Sequence, residues 1–146
     1  MHSEPASLKT VKDLSPDVAY QLLQADSRAL LVDVRSTMEY LFVGHPVGAV
    51  HIPWIDEPGW KANPDFITDV RKLSLGANEE QTDSCPPIVL ICRSGQRSQE
   101  AGKSLLAAGF SNISHVDEGF EGQLNEQHQR STLNGWRFRG LPWEQC

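Results

Sequence analysis

Four short apolar runs punctuate the chain: ALLVDV (29–34), AVHI (49–52), IVLIC (88–92) and NISHV (112–116). Each has the length of a strand. The third is continuously apolar and rich in β-branched residues, the composition of a strand buried on both faces. Between these runs the apolar residues recur with helical spacing. Ser15-Pro16-Asp17 supplies an N-cap, a proline at the first helical position and a first-turn acid, opening a helix through Tyr20, Leu22 and Leu23. Asn63-Pro64-Asp65 caps a second helix, expected to carry Arg71 and Lys72 in its last turn and to end at Gly76. Ala101, Leu105 and Ala108, with Gly102 and Leu106, give a third helix one apolar face, and Gly109 closes it. The polar, proline-ended stretch 76–87 reads as a surface loop. Beyond Gly119 the chain is irregular and rich in Gly, Gln and Trp.

Strands that alternate with helices, and are themselves apolar throughout, predict an α/β fold with a mainly parallel sheet covered on both faces. In such sheets the ligand crevice lies beyond the carboxyl ends of the strands. Cys92 stands at the carboxyl end of the most apolar run, where this architecture places its chemistry. The chain of 146 residues fits one domain, 1–146, with an irregular tail from about residue 119. A net charge of −6 disfavours a nonspecific role on nucleic acid or on an anionic membrane. MHSEPASLKTV has no apolar signal region, and no segment approaches the length that spans a bilayer. Cys85, Cys92 and Cys146 are too few and too scattered for a disulfide framework, so a reducing cytoplasm is expected, with one thiol kept for its reactivity.

The stretch CRSGQRS (92–98) has a physical logic of its own. A residue between a strand end and a helix start is surrounded by backbone N–H groups without intrahelical partners and by the positive end of the helix dipole. That environment binds anions and favours a thiolate, and Arg93 and Arg97 act in the same direction. Gly95 permits the backbone angles that curl successive N–H groups toward one point. Ser94 and Ser98 are small enough to leave room inside the cradle. The competing reading makes Cys92 a small buried hydrophobe beside solvated arginines. Thiol, glycine turn, two arginines and helix start together favour a nucleophile.

CRSGQRS closely resembles the active-site loop of rhodanese-type sulfurtransferases, and the similarity extends over nearly the whole chain. LLVDVRSTMEY resembles the family's early strand with its aspartate, arginine and acid-aromatic pair. VGHPVGAVHIPW is similar to its Gly-His segment, and Gly109-Phe110 and VDEGFEG (116–122) to its later landmarks. The tail NGWRFRGLPW looks like that of small bacterial single-domain members. Phe120-Glu121-Gly122 follows Gly119 where the family usually shows paired glycines and a tryptophan; here Trp136 comes later.

The resemblance implies a single rhodanese-like domain, a central mainly parallel five-stranded sheet flanked by helices on both faces. It also implies transfer of a sulfane sulfur from thiosulfate or a similar small anionic donor to a thiophilic acceptor, through a persulfide on Cys92. Arg93, Ser94, Gly95, Gln96, Arg97 and Ser98 would bind the donor and the persulfide. Arg93 is expected to gather the donor. Arg97, folding back over the thiol, is expected to stabilise charge on the reacting sulfur. Together they would set a local charge of +2 against the overall −6. No metal or organic cofactor is required, and neither nucleic acid nor membrane is an expected partner. A protein sulfur acceptor, in a persulfide relay, is the alternative. A binding module without catalysis is disfavoured, because inactive relatives generally lack the cysteine.

Phosphatases and arsenate reductases also place a cysteine before an anion cradle, but need five residues between cysteine and arginine. Here four separate Cys92 from Arg97. A phosphatase would further need a general acid near the leaving oxygen. Other residues are given supporting roles. Arg35 is expected to tie Glu39 and nearby backbone together below the crevice, beside Asp33. His45 and His51 have no metal-ligand spacing and read as hydrogen-bonding turn residues. His115 and His128 are given no role, nor is the segment 55–75 with its Trp60. Trp54 and Trp136 are expected as packing anchors that could also line the pocket mouth. Cys85 is read as a chance cysteine.

Overall fold

The computed structural model describes residues 10–77 and 85–146. Its centre is a sheet of five strands, β1 (Lys12–Leu14), β2 (Leu30–Asp33), β4 (Val50–His51), β7 (Ile88–Ile91) and β8 (Ile113–Val116). Their order is β1-β8-β7-β2-β4, and every pairing is parallel. The four apolar runs thus contribute the four strands expected of them. The fifth, β1, is the charged sequence Lys-Asp-Leu at the sheet edge, where charge is tolerated and an apolar signal is not required. Its small partners are β3 (His45–Pro46), β5 (Ile55–Asp56), β6 (Lys61–Ala62) and β9 (Trp143–Glu144), which pair as two short antiparallel ribbons, β3 with β9 and β5 with β6.

Helices cover both faces. Helix α1 (Pro16–Ala25) begins as expected, the Val18 N–H donating to the Ser15 hydroxyl at 3.3 Å. Helix α2 (Phe66–Ala77) follows Asn63, whose side-chain oxygen accepts from the Asp65 N–H. It runs through Gly76 instead of ending there, so Arg71 and Lys72 lie mid-helix and its last turn holds no basic residue. One glycine costs a helix only about 1 kcal/mol, which the packing of Phe66 and Val70 exceeds. Most of the loop expected over 76–87 lies outside the described residues. Helix α3 (Gln96–Ala107) buries Ala101, Gly102 and Leu105, whereas Ala108, past its end, is exposed.

The period-two rule for strands explains how one run fills two cores. Ile88 and Leu90 face a cluster with Val32, Phe66, Val70 and Leu105 under α2 and α3. Val89 and Ile91 face the other side, with Ala19 of α1, Phe120 and Trp136. The tail is therefore irregular but packed. Trp136 is 1% exposed, its indole N–H donates to Pro142 at 2.8 Å, and its ring meets Tyr20 edge-on. With all strands parallel, the loops after β2, β7 and β8 leave the same edge of the sheet side by side, with β7 in the middle.

Candidate active site

Cys92 follows directly on β7, is 1% exposed, and is turned under the chain that leads into α3. Two backbone donors converge on its sulfur, the N–H of Gly95 at 3.1 Å and that of Ser98 at 3.3 Å. The Ser98 hydroxyl lies 3.3 Å from the same atom. Gly95 makes this curl possible, with φ of 111° at the helix N-cap; a Cβ there would come 2.5 Å from the Asp117 carbonyl oxygen. The loop after β8 supports the curl from beneath. Phe120 N–H donates to the Cys92 carbonyl at 2.7 Å, and Glu121 and Gly122 donate to the Arg93 carbonyl at 3.0 and 3.2 Å. Gly119, with φ of 73°, lets that loop approach, since a side chain there would collide with the Arg93 carbonyl.

The two arginines differ in their surroundings. Arg97 makes a two-pronged ion pair with Glu39, 2.7 and 2.9 Å, across the cleft between the β2 and β7 loops. Burial pushes the Glu39 carboxyl up. The Arg97 hydrogen bonds and charge, with the Ser36 N–H and hydroxyl, outweigh it and hold it at about 2. The same bonds raise Arg97 above its ordinary value against its burial, and the nearby Cys92 adds in the same direction. Arg93 is exposed, and among the described residues no carboxylate pairs with it. Ser94 is half-buried, Gln96 exposed and Ser98 fully buried.

This arrangement corrects the expectation for Arg35, which does not reach Glu39. Arg35 is completely buried, pairs with Asp33 at 2.6 Å and donates to the Gly44 carbonyl, with its guanidinium over the Phe120 ring. It braces β2 against the tail, while Glu39 belongs to the loop arginine. His45 and His51 are the hydrogen-bonding residues expected, meeting the carbonyls of Tyr40 and Arg35 at 2.8 Å each and stacking on the Tyr40 ring.

A cleft of about 550 Å³ opens beside the loop. Its wall carries Arg93, Arg97 and Arg130 against Glu39, Glu57 and Glu121, so its formal charge cancels instead of reaching +2. Met38 and Trp60, each 56% exposed, form its apolar rim. Trp54 and Trp136 are the packing anchors expected, against Phe66 and Tyr20, and it is Trp60 that lines the cleft. Cys85 precedes β7 and Cys92 follows it, so the strand alone separates them by about 13 Å, far beyond disulfide reach. His115, given no role from the sequence, sits behind the cradle. Its ring joins the Ser98 hydroxyl at 2.8 Å and the Asp13 carboxylate at 2.7 Å. A histidine inside the buried run NISHV needs partners, and that requirement was the available signal.

Comparison with known proteins places this cradle in a family. The model of the rhodanese-like domain matches residues 15–126, which include β2, β7, the Cys92 loop and β8. The chain belongs to the rhodanese-like domain family. It is similar to thiosulfate sulfurtransferase 16 of Arabidopsis thaliana chloroplasts, 32% identical over 131 residues, covering 88% of this chain and 89% of that protein. Among solved structures, Rv0390 from M. tuberculosis shares 32% identity with a TM-score of 0.79, covering 94% of this chain and 99% of that one. A Rhodopseudomonas palustris protein described as a possible tyrosine phosphatase superposes with a TM-score of 0.57 at 23% identity, over 92% of this chain and 85% of that one. At that identity the likeness shows the fold alone. The rhodanese membership supports a sulfurtransferase-type protein.

Proposed function

We propose that the protein is a thiosulfate sulfurtransferase of the rhodanese type, working as one domain in the cytoplasm, with Cys92 as its catalytic residue. The observation that carries this reading is the convergence of the Gly95 and Ser98 N–H groups on the Cys92 sulfur at the end of the central strand. The thiolate attacks the outer sulfur of thiosulfate, the S–S bond breaks, and sulfite leaves with its electron pair. The persulfide left behind is anionic, and the loop from Arg93 to Ser98 holds it as preorganised N–H donors hold an oxyanion. An acceptor such as cyanide or a thiol then removes the outer sulfur and returns the thiolate, which gives ping-pong kinetics. Arg93 gathers the donor. Arg97, held by Glu39, keeps the loop closed and adds its field at the sulfur. Phosphate-ester hydrolysis is disfavoured by the four-residue spacing between Cys92 and Arg97.

Cleft size favours an acceptor larger than cyanide, including a persulfide-accepting protein. A volume of about 550 Å³ with Met38 and Trp60 on its rim far exceeds what thiosulfate fills. Steady-state kinetics with varied thiosulfate and cyanide test the principal reading. Parallel reciprocal plots and no thiocyanate from Cys92→Ser are expected; wild-type hydrolysis of aryl phosphates would contradict it. For the acceptor, Trp60→Ala should raise KM for a bulky thiol several-fold and leave cyanide kinetics unchanged.

A further inference from the structure

A chain of side chains leads from the sulfur to the edge of the sheet without entering the cleft. Cys92 Sγ is 3.3 Å from Ser98 Oγ, Ser98 Oγ is 2.8 Å from His115 Nδ1, and His115 Nε2 is 2.7 Å from Asp13 Oδ1. The first three residues are buried, whereas the Asp13 side chain is 68% exposed on edge strand β1. Strand register sets this order, since His115 of β8 lies opposite both Asp13 of β1 and Leu90 of β7. None of Ser98, His115 and Asp13 belongs to the cleft wall.

We propose that Ser98, His115 and Asp13 form a proton path that takes the Cys92 thiol proton away from the cleft and holds it on His115. This rests on Cys92 being the nucleophile. The Asp13 carboxylate selects the His115 tautomer with hydrogen on Nε2, leaving Nδ1 to accept from Ser98. That contact is shorter than the alternative one from Ser98 to the Gly95 carbonyl at 3.1 Å. As the thiol proton passes to Ser98 Oγ, the Ser98 proton passes to Nδ1. Thiol and imidazole become thiolate and imidazolium, with no net change in charge. The thiolate is then held by the two backbone N–H groups and the re-formed Ser98 hydroxyl, and the imidazolium by Asp13. Because the path runs toward β1 and none of its residues lines the cleft, it stays open while a bulky acceptor fills the cleft.

Few other charges face His115. Asp117 lies in the turn just past the end of β8, with Glu118 beyond. On the packed helices, Asp17 of α1 turns to Arg139, Arg97 of α3 to Glu39, and Glu100 and Lys103 are exposed.

The test uses a Cys85→Ser/Cys146→Ser background, so that Cys92 is the sole thiol, and follows its alkylation by iodoacetamide across a pH series. No sulfur donor is involved, so the result is independent of whether thiosulfate is a substrate. His115→Gln is expected to move the midpoint of the profile up by about one pH unit and to slow alkylation at neutral pH several-fold. A His115→Gln profile that superimposes on the parent overturns the proposal. Should that variant fail to fold, Asp13→Asn, at an exposed edge position, decides the question. An upward displacement supports the path and superposition removes it.

Discussion

Charge at the loop is allotted residue by residue, and the two arginines should therefore respond differently to removal. Arg93 is exposed and unpaired among the described residues, so under the proposed reaction its cation is free to meet an incoming anion. Arg93→Ala should raise KM for thiosulfate several-fold with little change in kcat, an effect that shrinks as salt screens the steering. Arg97 is half of an ion pair, and its loss strands Glu39 in a partly buried site. Arg97→Ala should lower kcat and cost on the order of 2 kcal/mol in stability, read by urea unfolding. Glu39 also carries a pH signature. Its carboxyl sits at about 2 in the fold against an ordinary 4.5, so its contribution is complete above pH 4.5 and lost as pH falls toward 2. That contribution is up to about 3 kcal/mol, and Glu39→Gln should flatten this acid limb of the stability curve.

At the scale of elements, the strand–loop–helix unit of β7 and α3 brings the Gly95 and Ser98 N–H groups onto the Cys92 sulfur. Inserting one small residue between Gly95 and Gln96 would lengthen the chain between the two N–H groups that converge on the sulfur and should depress thiocyanate formation sharply, while leaving the strand and helix in place by circular dichroism. This unit was the most legible part of the sequence. IVLIC states its burial on both faces, and the Gly95 turn states where the backbone must curl, because both signals are local. Strand β1 was not legible, since a three-residue charged edge strand carries no apolar period. Nor was the continuation of α2 through Gly76, where tertiary packing overrides a local breaker. The Arg97–Glu39 pair joins residues 58 apart in sequence, and the His115–Asp13 pair residues 102 apart. Only strand order brings such partners together, and one sequence does not print that order.

Across the whole molecule, the irregular tail supports the site along with the helices. Phe120 and Trp136 close the second core, and the same segment holds the Cys92 and Arg93 carbonyls. Trp136→Ala should therefore destabilise the protein by about 3–5 kcal/mol and weaken sulfur transfer although Trp136 is not in the cleft wall. No helix among the described residues is long and apolar enough to cross a membrane. The cradle, the family and the spacing meet in one claim, a persulfide on Cys92. Intact mass after thiosulfate treatment measures it most directly. The protein should gain the mass of one sulfur atom, lose it to cyanide or dithiothreitol, and gain nothing as Cys92→Ser. An unchanged mass in the wild type, or an equal gain in Cys92→Ser, would contradict the claim.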